Sequence, residues 1–125
     1  MRSDLPLINV YKKKLKSEIS TQLLYGETFK EIKRIGSWIK IKNDTDNYKG
    51  FIKEKKFPPK HKVTHKICKL YSRLYSKPYL GSINGKKLSF GSKIKVTQIK
   101  NNFCKFDNFW VKKKDLKEIN YKSKN

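Results

Sequence analysis

Apolar and polar residues alternate along this chain in short runs, and the repeat is two residues rather than the 3.6 of a helix. In "SWIKIK" (37–42), Ile39 and Ile41 face one side of an extended segment while Lys40 and Lys42 face the other. "NDTDN" (43–47) is a turn cluster that closes a hairpin into "YKGFIK" (48–53). Upstream, "LPLINVY" (5–11) can pair as a first strand, and the Lys12-Lys13-Lys14 run after it is a solvated edge that discourages strand-to-strand aggregation. "KFPPKH" (56–61) breaks the chain, since Pro58 and Pro59 cannot continue a ladder. A second set begins at "THKICKLYS", passes a loop "RLYSKPYLGSINGKK", and ends in the polar tail "KEINYKSKN". The pattern predicts an all-β chain of small barrels or sandwiches.

The second half echoes the first. With Leu23 set on Leu88, Tyr25 falls on Phe90, Gly26 on Gly91, Phe29 on Ile94, Trp38 on Phe103, Ile39 on Cys104 and Ile41 on Phe106. A shorter loop in the second copy brings Phe51 onto Trp110, Ile52 onto Val111 and Phe57 onto Leu116. Character matches where identity does not, which predicts one small unit used twice. The expected units are 1–58 and 59–119, with 120–125 as a polar tail or linker. At about sixty residues, each would be marginally stable alone. Phe29 and Phe51 are expected in the core, whereas Tyr25 and Trp38 divide between core and ligand groove.

Composition changes this picture less than its extremes suggest. The 125 residues carry a net charge of +22, which invites a nucleic-acid reading. Only three of the 32 basic residues are arginine (Arg2, Arg34, Arg73), although Arg is the better bidentate reader of phosphates. Alanine is absent while Lys, Asn, Ile and Tyr abound, as AT-rich codon usage would produce, so most lysines are expected to be solvated surface. Non-specific, salt-sensitive binding to polyanions follows in either case. No window is apolar enough to span a bilayer, so no membrane partner is expected, and the start lacks the apolar core of a secretory signal. With Met1 as the native start, the product is expected in the cytoplasm. A Cys68–Cys104 bridge is disfavoured there, and Cys104 reads as a buried small hydrophobe. His61, His65 and Cys68 have spacings reminiscent of zinc but no fourth ligand, so no metal and no other cofactor is expected.

"TQLLYGETFKEIKRIGSWIKIKNDTDNYKGFI" resembles the first bacterial SH3-like barrel of NlpC/p60-type cell-wall cysteine peptidases, through "TQLLYGE", the "GSW" hairpin and "YKGFI". "THKICKLYS", "LSFGSKIKV" and "FWVKKKDL" resemble the second barrel of the same enzymes, so the likeness covers about residues 10–119. The resemblance implies two consecutive SH3-like barrels from the front half of an enzyme that cleaves murein peptides between γ-D-glutamate and the diamino acid. It also implies a peptidase domain, in cis or in trans, that carries an Asp-Cys-Ser-Gly nucleophile. Neither Cys68 nor Cys104 has that context, so this chain is expected not to be an enzyme. In the family, the first barrel helps admit peptides with a free N-terminal L-alanine. By motif position, Glu27 of "LYGE" would supply the carboxylate for the ammonium and Tyr48 of "YKGFI" an aromatic neighbour. The bland alternative for Glu27 is a solvated turn residue. The expected role is therefore a specificity and docking module for murein peptide. A free-standing adaptor for peptidoglycan or a protein partner is one alternative, and a basic nucleic-acid-binding β-barrel protein is the other.

Overall fold

A computed structural model of the chain describes residues 1–13 and 18–120. Lys14 of the lysine run and residues 121–125 of the polar tail lie outside the described residues. The chain divides into two compact units, Met1–His61 and Lys62–Asn125. Among the described residues all regular elements are strands, apart from two single turns of 3-10 helix at Leu80–Ser82 and Lys113–Asp115.

The first unit is one antiparallel sheet in the order β2-β1-β5-β4-β3, from β1 (Leu7–Tyr11), β2 (Ile19–Leu24), β3 (Phe29–Ile35), β4 (Trp38–Asn43) and β5 (Lys49–Lys53). The curled sheet is SH3-like, although its ladder ends at β2 and β3 rather than closing. Strand β3 carries Lys30, Glu31, Lys33 and Arg34 on exposed positions and a register shift between Glu31 and Lys33, features that blunt an edge. The alternation expected in β4 is observed, with Ile39 and Ile41 buried between exposed or half-buried neighbours. They join Val10, Leu23, Phe29 and Ile52 in one core, against which Phe57 packs. The rings of Phe29 and Phe57 meet edge to face at 5.2 Å.

The second unit repeats this order. Its larger sheet runs β10-β11-β12-β7-β8, from β7 (Tyr71–Tyr75), β8 (Ile83–Ser89), β10 (Gln98–Lys100), β11 (Phe103–Phe106) and β12 (Phe109–Lys112). Strands β6 (His65–Ile67), β9 (Lys93–Ile94) and β13 (Leu116–Glu118) form a smaller sheet in the order β13-β6-β9. The paired core positions match closely: Leu23 and Leu88, Phe29 and Ile94, Ile39 and Cys104, Ile41 and Phe106, and Ile52 and Val111 are all buried. Both copies also use the same four-residue turn. Glu27 N–H donates to the Leu24 carbonyl at 3.1 Å, and Ser92 N–H to the Ser89 carbonyl at 3.0 Å. The third residue of each turn has positive φ, 82° at Gly26 and 89° at Gly91, which explains the paired glycines.

Two expectations are corrected. Phe51 is not in the first core: it is half-buried on the opposite face of β5, between the buried Gly50 and Ile52, and is cross-strand from Lys40. The stretch expected as one loop from Arg73 to Lys87 is instead largely a hairpin, because Arg73 belongs to β7 and residues 83–87 to β8. Ser82 Oγ donates within a turn it shares with Lys77 and Tyr79, at 2.7 Å to the Lys77 carbonyl, which lets the strands resume at once. Within that stretch Gly85 lies inside β8 at φ 91°.

Candidate functional site

One end of the β3–β4–β5 ladder collects the expected substrate-binding pair. Glu27 precedes β3 by two residues and Tyr48 precedes β5 by one. The end of β4 ties the two segments together: Asn43 pairs with Phe29 and donates its N–H to the Tyr48 carbonyl at 2.8 Å. Glu27 is half-buried, and its Oε1 accepts the Leu24 N–H at 2.8 Å, which orients the carboxylate across the turn. The second unit makes the same turn with Ser92 in this position, so the turn itself does not require a carboxylate. Tyr48 is 36% exposed at the rim. Its Cε1 lies 3.6 Å from where a Cβ on Gly50 would stand, an ordinary van der Waals distance, so the ring lies close against the sheet at Gly50.

Two further carboxylates at this end escaped the sequence reading, which saw "NDTDN" only as a turn. Asp46 Oδ1 accepts the Tyr48 N–H at 2.9 Å and so fixes the approach of Tyr48 into β5. Asp44 N–H donates to the Thr28 carbonyl at 3.1 Å, next to Glu27 in sequence. Lys60 Nζ stands 2.5 Å from Asp44 Oδ2. Hydrogen bonds from Lys60 and Thr28 outweigh partial desolvation and hold the Asp44 carboxyl below its ordinary pKa. Thus three of only ten acidic residues converge on one end of one sheet in a chain of net charge +22. Lys30, Lys42, Lys49 and Lys60 stand at the same end, so its charge is mixed, and it is the Glu27 carboxylate with the Tyr48 ring that suits a cationic ligand.

The structure does not bring the groove candidates to this end. Tyr25 is 2% exposed, a core residue that offers no open ring face, whereas its repeat partner Phe90 is exposed. Trp38 begins β4, roughly 17 Å along the strand from Asn43. There it meets Tyr11 edge to face at 5.7 Å, with Lys53 Nζ 5.9 Å from its ring centre. With Phe51, these rings form a half-buried aromatic patch on the face opposite the core. The matching trio in the second unit, Tyr75, Phe103 and Trp110, is buried as its own cluster. A cavity of about 440 Å³ lies at the Trp38 end, lined by Leu5, Leu7, Tyr11, Lys53, Glu54 and Phe57 among others, and includes neither Glu27 nor Tyr48.

The cysteines are free, and their settings are structural. Cys104 is buried, and desolvation pushes its thiol pKa up despite nearby Lys113, the reverse of an activated nucleophile. Cys68 Sγ donates to the Asp115 carbonyl at 3.2 Å, and His65 Nδ1 lies 2.7 Å from Thr64 Oγ1. Among the described residues, no three His, Cys, Asp or Glu side chains gather as a metal ligand set. Nor is any helix long and apolar enough to cross a membrane.

Residues 10–57 match the family model described as the bacterial dipeptidyl-peptidase SH3 domain, so the first unit carries a bacterial SH3-type domain. The fold is similar to the crystal structure of an NlpC/P60 family protein from Bacillus cereus, with a TM-score of 0.72 and 13% identity. That superposition covers 94% of this chain and 55% of the other, so the chain spans about half the length of the protein it resembles. No curated protein matches the chain.

Proposed function

We propose that this chain is a non-catalytic specificity and docking module of a murein-peptide endopeptidase, with its two barrels at about 1–58 and 59–119. In this reading the module caps the groove of an NlpC-type peptidase domain, in cis or in trans, and recognises the free amine end of the peptide. The observation that carries it is the gathering of Glu27, Asp44, Asp46 and Tyr48 at one end of the β3–β4–β5 ladder, within the residues that match a dipeptidyl-peptidase SH3 domain. Glu27 accepts the ammonium of an N-terminal L-alanine while its other oxygen holds the turn. Tyr48 supplies an aromatic wall on which a cation is favoured by about 0.5–1 kcal/mol at an exposed site.

The test joins the chain to an active peptidase domain and compares specificity constants for free-amine and N-acetylated murein peptides. Glu27→Ala is expected to raise KM for the free-amine peptide and to leave the acetylated one unchanged. A charge-assisted hydrogen bond of about 1.5–3 kcal/mol corresponds to a loss of roughly ten- to hundredfold. An unchanged specificity constant would dispose of the proposal.

A further inference from the structure

Two of the three arginines are committed within the first unit. Arg2 is buried, and its Nε donates to the Pro59 carbonyl at 3.1 Å. Arg34 is held by Glu31 at 2.6 Å and Glu54 at 2.8 Å. Arg73 differs. It lies on the exposed face of β7 in the second unit, and no carboxylate among the described residues pairs with it. Directly across the ladder stands Lys87 of β8, also exposed. Like charges in opposed positions disfavour an antiparallel pair. The unit offers little to offset them: it holds 17 of the 32 basic residues but only three acids, Asp107, Asp115 and Glu118. Asp115 is itself buried, accepting from Ser72 Oγ at 2.8 Å.

These charges surround a concavity. Tyr71, Arg73, Ile83, Gly85, Lys86 and Lys87 enclose a pocket of about 220 Å³. Lys87 Nζ lies 4.6 Å from the Tyr71 ring centre. Lys86 Nζ lies 5.8 Å from that of Phe109. Both ammoniums are thus placed by aromatic rings rather than neutralised by acids. With Lys87 over its ring, Tyr71 serves as a wall and hydroxyl donor rather than as a platform for a stacked base. A small pocket with two cations on one face of the hairpin, one of them a planar guanidinium, matches a compact anion with several acceptor oxygens.

We propose that the β7–β8 hairpin binds a phosphate-bearing ligand, with Arg73 forked onto two phosphate oxygens and Lys87 and the Tyr71 hydroxyl completing the cradle. This site prefers charge of the opposite sign from the amine site and lies in the other unit, so neither stands or falls with the other.

Inorganic pyrophosphate is titrated into the full chain at constant ionic strength and followed residue by residue by NMR. Saturable shifts are expected at Tyr71, Arg73, Gly85 and Lys87. Arg73→Gln should weaken binding about tenfold or more, as loss of a charge-assisted fork requires. Lys100→Gln removes the same charge from β10, the far edge of the sheet, and should change affinity less than about twofold. Both side chains are exposed, so melting should be unharmed, and Arg73→Gln should raise it slightly by relieving the pair with Lys87. Equal weakening by the two variants, or shifts scattered over the lysines, would show diffuse attraction and overturn the proposal. So would an oligothymidylate that binds more tightly than pyrophosphate and stacks on Tyr71, because the ligand would then be a nucleic acid read through its bases.

Discussion

Gly50 is where the core and the rim of the amine site meet, and Gly50→Ala tests that junction. A Cβ there would stand 2.5 Å from Val10 Cγ1 and 3.1 Å from the Tyr11 carbonyl oxygen. Carbon atoms pack at about 3.5–4.0 Å, so roughly 1 Å of displacement is needed. Val10 is 2% exposed and stiff at χ1, and the Tyr11 oxygen is backbone, so neither yields freely. Overpacking of this kind costs about 1–3 kcal/mol. Reduced entropy of the unfolded chain returns about 0.4–1 kcal/mol. The net expectation is a loss of about 0.5–2 kcal/mol, a large share of the stability of so small a unit. At about 4–8 °C per kcal/mol, melting should fall by several degrees or more. Each unit holds one tryptophan, so urea unfolding of a Trp110→Phe background followed at Trp38 reports the first unit alone. Val10→Ala removes the clashing methyl, and the two substitutions should therefore couple favourably by at least about 0.5 kcal/mol. A neutral or stabilising Gly50→Ala, or strict additivity with Val10→Ala, would refute the packing argument.

Three further predictions concern buried or paired groups. Ser72→Ala leaves the buried Asp115 carboxylate without its 2.8 Å donor and should cost about 1–3 kcal/mol in denaturant melts, whereas Ser72→Thr should retain most of it. Asp44 has a folded-state pKa below its unfolded value, so its contribution is present at neutral pH and is lost as pH falls through the folded value. Lys60→Gln should flatten the acid limb of the stability profile below about pH 4, and an unchanged limb would show that the pair does not couple to folding. Buried Cys104, with its thiol pKa raised, should react with a thiol reagent only at the rate of unfolding. Prompt reaction at neutral pH in the native state would contradict that setting.

Most of the architecture could be read from the chain because its information is local. Period-two alternation in "SWIKIK" appears as β4, and the "LYGE" and "SFGS" turns each place a glycine where positive φ is needed. The repeat alignment predicts core partners because the two sheets share one strand order. It fails where the face of the sheet matters. Phe51 and Trp38 are as apolar as Ile39 and Ile52, and alternation alone does not say that they cover the outer face. Phe90 fails for a related reason: it follows the same turn motif as Tyr25 yet is exposed. Segment 73–87 reads as a loop because Pro78 and the glycines are strong local breakers, while the pairing that extends β7 and β8 is settled across the ladder. Asp44 and Asp46 were legible as turn residues, but their convergence with Glu27 depends on β3 lying beside β4, which no local pattern states.

The most direct test of the central claim is binding of a murein tripeptide with a free N-terminal L-alanine to this chain, set against the same peptide N-acetylated. The account predicts saturable NMR shifts confined to Glu27, Tyr48 and the turn at 43–47 for the free amine, with affinity little changed between about 50 and 200 mM salt. It predicts no such shifts for the acetylated peptide or with Glu27→Gln. Equal binding of the two peptides, or shifts that bypass Glu27 and Tyr48, would contradict it.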